Sequence, residues 1–321
     1  MASGNMKTIK RRIKSVSSTM QITKAMELVA SSKLRKAKKK TKDTKPFFTE
    51  QELILNGIYA SFSEKTKENS FDTKFEKHRD VKNRLYIVIA GDKGLAGGYN
   101  SNVFKLVNHV HSNCNTADVK PKIIAIGKKS VEYFERRGHD ILVKRVNFAD
   151  NIKSGHCSEV ADTAIKMFTS GEVDEVTMFY TRFVSSMVQE TSTMRLLPLE
   201  TPHQKLKRLQ EESETDVTKK AEAKRLKKSL EEFQKSPITA TYDPSPEAVL
   251  SRIIPNFLAG LVQSAITESY TSELSARQRA MESASDNAGD MIDNLSLLYN
   301  RARQEKITNE INEIVGGANA L

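Results

Sequence analysis

Tryptophan is absent from the 321 residues, and aromatic residues together make up only 7%. The two cysteines, Cys114 and Cys157, stand apart and neither belongs to a CxxC. That argues against a disulfide framework and fits a reducing compartment. Between Lys7 and Lys45 there is neither glycine nor proline, so nothing there interrupts a helix. No clean apolar run of bilayer length is present. The most apolar window, Val249 to Ile266, carries Ser251, Arg252, Pro255, Asn256, Gln263 and Ser264, too polar and too short to span a membrane. The N-terminus turns basic without an apolar h-region, so no secretory leader is expected. What the chain has in excess is positive charge, net +11. Such a balance calls for an acidic partner: nucleic acid, an anionic membrane surface or an acidic protein cavity.

The chain is organised around its C-terminal stretch. From Glu247 onward it reads as one long helix, in which Met281, Ala284, Ala288, Met291, Leu295, Leu298 and Ala302 alternate at three and four residues as an a/d seam. If Ala248 to Val315 is helical throughout, it runs ~100 Å, longer than an ordinary domain is wide. Such a helix has to wrap around a partner helix or reach into another subunit. The N-terminal stretch supplies a partner. Ile9, Ile13, Val16 and Met20 follow the same spacing, and Ile22, Met26, Val29 and Lys33 repeat it one step over, which predicts a seam that shifts near Met20. Glu27 and Asp43 are the only acids among the many bases of Lys7 to Lys45, whereas acids outnumber bases after Glu247. Opposite charge and matching stripes predict an antiparallel coiled coil of the two ends.

Pro46 and Gly57 are expected to loosen the first helix, with Ser61 to Asp80 a polar connector. The middle then alternates. Leu85 to Ile89 and Lys122 to Gly127 read as buried strands, and Tyr99 to His111, Ser130 to Arg137 and Ser158 to Ser170 as helices. Val176 to Val184 and Met187 to Leu197 are strands rich in β-branched and aromatic residues. This pattern predicts a mainly parallel sheet with helices on it. Thr201 to Ser236 is a charged, partly helical excursion, Ile238 to Tyr242 a possible returning strand, and Ser245 an N-cap ahead of the final helix.

Chemistry-bearing patterns are few. The loop Gly91 to Gly98 follows a strand and precedes a helix, as a phosphate cradle does, but it fits neither GxxxxGK[ST] nor GxGxxG. Tight strand-to-helix packing or a surface contact is the expected role. His109 and His111 lie two apart on a helix and point to different faces, and His156-Cys157 is isolated, so no metal site is expected. Asp286 and Asp290 lie on a solvated helix face. No Ser/His/Asp set can be proposed. The basic N-terminal run lacks the interleaved aromatics of a nucleic-acid patch. Two alternatives to a structural role therefore stand at this level: a nucleotide-binding enzyme using the Gly91 loop, and a basic coiled-coil protein that binds nucleic acid with a steep salt dependence.

The two ends carry a resemblance. Ile9 to Val16, Gln21 to Ala30 and Lys33 to Ala37 resemble the N-terminal signature of the gamma subunit of F-type ATP synthase. Ser272 to Arg277, Ala280-Met281, Asp286 to Gly289, Tyr299 to Gln304, Ile307-Thr308 and Glu310 to Leu321 are similar to that family's C-terminal block. Gly91 to Asn100 resembles its middle-domain loop, and Pro244 to Glu247 the start of its last helix. The resemblance implies an α/β fold class: a long antiparallel coiled coil of the N- and C-terminal helices plus a small Rossmann-like α/β domain. The implied divisions are 1–60, 61–243 with the charged insertion at 201–236, and 244–321. It further implies the central rotor shaft that couples rotation of a membrane c-ring to cycling of an alpha/beta head, without chemistry, cofactor or metal of its own. Implied partners are the alpha and beta subunits (one copy of this chain per three alpha–beta pairs), the epsilon subunit and the c-ring, with no nucleic acid and membrane contact only through the complex. The implied place is the cytoplasmic side of a bacterial cell membrane, or alternatively the matrix side of the mitochondrial inner membrane. Met26, Arg277, Gln304 and Thr308 correspond to positions touching beta subunits, and Ile307, Ile311, Ile314 and Val315 form an apolar tip suited to a bearing. Where the family's photosynthetic members carry a cysteine-paired insertion, Thr201 to Ser236 has no cysteine, which excludes a thiol switch of that kind.

Overall fold

The computed structural model describes residues 2–63, 74–76, 79–114, 118–147, 152, 154–212, 223–231, 243 and 245–318. Ile238 to Tyr242 and most of the expected connector lie outside them. The chain forms two compact units. One comprises Met1–Arg35, Leu95–Gly97 and Leu274–Leu321, and the other Lys36–Gly94 and Gly98–Glu273.

The larger unit is built on a five-stranded sheet of order β3-β2-β1-β4-β5. Its strands are β1 (Arg84–Ile89), β2 (Lys122–Ile126), β3 (Ile141–Arg145), β4 (Glu175–Phe183) and β5 (Gln189–Leu197). The first four are parallel and β5 returns antiparallel along β4. Helices α2 (Tyr99–Ser112), α3 (Lys128–Glu135) and α4 (Ser154–Thr169) make the crossovers. β1 is apolar on both faces, as a central parallel strand must be. Leu85, Ile87 and Ile89 face a core completed by α4 (Cys157, Val160, Ala164, Phe168) and by Leu250, Ile254, Leu258, Val262 and Ile266 of the C-terminal helix. Tyr86 and Val88, one residue out of phase, face Val103, Phe104 and Val107 of α2 and Val131 and Phe134 of α3. The Val249 to Ile266 window is therefore a core helix. β3 was not legible in the sequence: it is a short edge strand, half-buried along its length, and lacks the apolar run that marks β1 and β2.

Two long helices complete the architecture: α1 (Ala2–Ser63) and α7 (Pro246–Ala318). The expectation that Pro46 and Gly57 loosen the first helix is corrected, because α1 continues through both. A helix-interior proline costs about 3 kcal/mol; here the turns beyond it seat Leu55 and Ile58 in the sheet's core, and burying two such side chains offsets that cost. Within this unit α1 and α7 run antiparallel. Thr41 Oγ1 lies 3.2 Å from Thr271 Oγ1, and further along α1 a Cβ on Gly260 would stand 3.0 Å from both Phe48 and Gln51. Ser245 caps α7 as expected, its Oγ accepting the Ala248 amide at 3.3 Å.

The charged excursion is partly helical, as expected, and it has order of its own. α5 (Pro202–Glu212) and α6 (residues 223–231) close a small core of Leu206, Leu209, Ala223, Leu226 and Leu230. Thr201 and Gln204 form a reciprocal capping box, amide to side chain at 3.0 and 3.3 Å, with proline in the first helical position. Lys205 reaches Glu52 at 2.6 Å, and Glu200 receives both Arg195 and Arg208.

Candidate functional site

The glycine loop behind β1 is a brace. The Gly91 amide donates to Asn100 Oδ1 at 2.8 Å and its carbonyl accepts the Lys129 amide at 3.0 Å. Asp92 Oδ1 accepts the amides of Lys128 and Asn147 at 2.9 and 2.8 Å. One carboxylate thus caps α3 and ties the end of β3 to the loop behind β1, favoured by the helix N-terminus it meets. Gly127, at φ +93°, lies so close to this loop that a Cβ would stand 1.9 Å from the Ala90 carbonyl oxygen. The amides of Gly91, Lys128 and Lys129 are thereby taken up in holding the loop.

His109 and His111 also have local partners. His109 meets Asn113, while His111 Nδ1 lies 3.5 Å from Tyr86 Oη and the Cys114 thiol donates to the His111 carbonyl at 2.9 Å. Burial pushes the Tyr86 phenol well above its ordinary range. Among the described residues no group of three or more His, Cys, Asp and Glu is placed to hold a metal.

The smaller unit is a pair of helices with an uneven surface. Its seam corrects the expected one. On α1 it runs through Ile9, Ile13, Val16, Met20, Thr23, Ala30 and Leu34, all buried or half-buried, whereas Ile22 and Val29 are 60% and 58% exposed. The heptad does not shift near Met20; a threonine and an alanine sit where larger apolar residues were sought. On α7 the seam shares Met281, Ala288, Leu295 and Ala302 with the expected one. It passes through Ser285, Ile292 and Tyr299 between them, leaving Met291 and Leu298 54% and 49% exposed. The decisive contact is polar. Thr23 donates its hydroxyl proton to the Met20 carbonyl at 3.0 Å, so Ser285 is the donor of the 2.7 Å bond between the two hydroxyls. Gly97 of the loop tip approaches the same helix, an added Cβ lying 4.0 Å from the Ala280 methyl.

Pairing through small residues leaves large apolar side chains outward: Ile22, Leu28 and Val29 on α1, Leu297 and Leu298 on α7, and Ile307, Ile311, Ile314 and Val315 in its last turns. Around them α1 exposes Lys7, Lys10, Arg11, Arg12, Lys14 and Lys24. Met26 and Arg277 are half-buried on the pair; Gln304 and Thr308 are exposed one turn apart, the Thr308 hydroxyl donating to the Gln304 carbonyl at 2.9 Å. The arrangement brings Gln304 and Thr308 to one face, while Met26 and Arg277 lie near the seam.

A family model described as ATP synthase matches residues 5–321. The ATP synthase gamma chain of Ruminococcus albus is 44% identical over 311 residues, covering 97% of this chain and 96% of that one.

The chain belongs to the ATP synthase gamma-chain family.

The sodium-ion-specific ATP synthase gamma chain of Acetobacterium woodii is 41% identical over 318 residues, covering 99% of both chains. Among solved structures, a chain of the Euglena gracilis mitochondrial ATP synthase superposes with a TM-score of 0.61 at 19% identity, covering 99% of this chain and 95% of that one. A chain of the Tetrahymena thermophila mitochondrial ATP synthase central stalk and c-ring superposes with 0.55 at 23% identity, covering 82% and 99%. At those identities the likeness is one of fold: long terminal helices joined to a parallel-sheet domain, which is the α/β class expected from the sequence. Sequence reasoning missed the inward polar groups Thr23 and Ser285. A heptad count that admits threonine and serine to a and d positions finds both.

Proposed function

We propose that this chain is the central rotor shaft of an ion-translocating ATP synthase, a non-catalytic subunit that couples rotation to the conformational cycle of the catalytic head. The observation that carries this is the family match from residue 5 to 321 on a chain whose last 73-residue helix is unbroken. A shaft acts by presenting different contacts at different angles, because a partner's equilibrium shifts only as far as its contacts with the shaft differ between states. The outward surface supplies such differences: bases and large apolar residues on α1, acids and apolar residues on α7, and a seam that keeps the two unlike faces in fixed register.

In this reading the partners are alpha and beta subunits of the head, one copy of this chain per three pairs, together with an epsilon subunit and the c-ring. Met26, Arg277, Gln304 and Thr308 are beta-subunit contacts; the exposure of Gln304 and Thr308 supports that role most directly. Residues 1–60 and 244–321 serve as the shaft helices, and 61–243 as the α/β domain bearing the insertion 201–236. The assembly is membrane-associated, and the bacterial relatives favour peripheral attachment on the cytoplasmic side. The test is co-expression with alpha and beta subunits, followed by sizing and an ATPase assay. A stable assembly with one copy of this chain per three alpha–beta pairs, and turnover that depends on the chain, supports the shaft. A chain that purifies alone and hydrolyses or binds ATP unaided refutes it.

A further inference from the structure

Strand β4 outruns its neighbour. Its register with β1 ends at Val88 opposite Phe179 and β1 stops at Ile89, yet β4 continues to Phe183. On its other side it stays paired with β5, Thr181 standing opposite Thr191. The backbone groups of Thr181 that face the β1 side therefore have no strand to meet, and Thr181 is 2% exposed, so water cannot satisfy them. Helix α7 takes the strand's place. The Thr181 amide donates to Ser269 Oγ at 3.0 Å, and Ser272 Oγ donates to the Thr181 carbonyl at 3.3 Å. The two serines are three residues apart and so share one helix face; they are 1% and 0% exposed.

We infer that Ser269 and Ser272, closed on the backbone of Thr181, are the positioning residues that lock α7 against rotation on the sheet, and so the joint through which the shaft's torque passes to the α/β domain. The inference rests on the shaft reading above. Apolar packing settles the helix on the sheet, but its driving force has no direction of its own. Hydrogen bonds are directional, and two of them to the N–H and C=O of a single residue fix both turn and slide of the helix. The position suits the task. Glu273 is the last residue of α7 in the larger unit, so the clasp occupies the last turn before the helix leaves it, where a twisting load on the rest of α7 is first met. The Thr181 side chain takes no part: its hydroxyl has no hydrogen-bond partner among the described residues.

The test uses the assembled complex in sealed vesicles carrying the Ser269→Ala/Ser272→Ala chain, with Thr181→Val as the control that keeps the clasp. Amide exchange at Thr181 is expected to speed up about tenfold or more, the loss of two ordinary hydrogen bonds. ATP hydrolysis is expected to persist, while ions moved per ATP hydrolysed fall to about half or less. The control should match the unsubstituted chain in both. Faster exchange with an unchanged transport ratio overturns the inference and leaves the serines as packing only. Should the double variant fail to assemble, Ser269→Ala alone frees the Thr181 amide; the same two measurements then support or overturn the joint in the same way. Hydrolysis that does not depend on the unsubstituted chain at all refutes the shaft reading, and the joint with it.

Discussion

Gly127 shows how a single hydrogen in place of a methyl holds the larger unit together. At φ +93° an L side chain is strained, and its Cβ would meet a backbone oxygen at 1.9 Å, which no rotamer change relieves. Gly127→Ala is expected to cost more than ~3 kcal/mol, read as a loss in thermal or urea midpoint. Gly94→Ala, where an added Cβ meets nothing within 4 Å, should stay within about 0.5 kcal/mol. The cysteines give a second residue-scale expectation. Cys157 is wholly buried, and burial pushes its thiol up to about 11. Its thiolate fraction near pH 8 is then about 100-fold below that of an ordinary thiol. A thiol reagent should leave Cys157 unmodified in the native chain and label it on unfolding; native labelling at the rate of a free thiol would contradict the burial. The sign for stability follows: the unfolded thiol ionises first, so stability falls as pH rises from about 9 towards 11. In the sequence Cys157 showed only isolation, and Asp92 only a place in a glycine-rich loop. What each does depends on a residue far along the chain, and single-sequence spacing carries no such information.

At the scale of elements, periodicity gave most of the fold and misplaced part of its detail. Both long helices, four of the five strands and α2, α3 and α4 were legible because a period of 3.6 or a continuous apolar run marks them. The seams were off by one position at several turns, and on α1 this happened where a large hydrophobe was preferred over a small or hydroxylated residue. Ile22 and Val29 lost to Thr23 and Ala30, and Met291 and Leu298 to Ile292 and Tyr299. Two helices that approach through small residues put the large ones outside, and only the partner's geometry decides which set wins. The hydroxyl pair in the seam can be weighed directly. Thr23→Val strands the Ser285 hydroxyl, which is 6% exposed, and should cost about 1–2 kcal/mol. Ser285→Ala leaves Thr23 its bond to Met20 and should cost less. The double variant should recover about 1 kcal/mol of the sum. Strict additivity in that cycle would show that the 2.7 Å contact adds nothing to the pairing. The capping box at Thr201 and Gln204 was readable in advance, since T-P-x-Q is a helix start, but the charge of the surrounding insertion drew attention instead.

Across the whole molecule, the last turns of α7 pose a question that stability alone cannot answer. Ile311 and Ile314 are 53% and 71% exposed, so neither gains much from the fold of its own chain. Adjacent turns add Ile307 and Val315, also about half exposed, and a helix end with this composition is poorly suited to remain in water. If the tip turns inside an apolar bearing of the catalytic head, the remaining surface of these residues is buried on assembly. At about 25 cal/mol per Å², completing the burial of two isoleucines contributes roughly 1 kcal/mol each. Ile311→Ser with Ile314→Ser is therefore expected to leave the melting of the isolated chain within about 1 kcal/mol of the original. The same change should weaken its binding to alpha and beta subunits about tenfold or more. The isolated unsubstituted chain should also self-associate with rising concentration, and the double variant less so. The two readouts separate the cases: lost stability would mean that the tip packs within its own chain, and unchanged affinity would mean that the head does not enclose it. Only unchanged melting with weakened assembly agrees with a tip shaped for a partner.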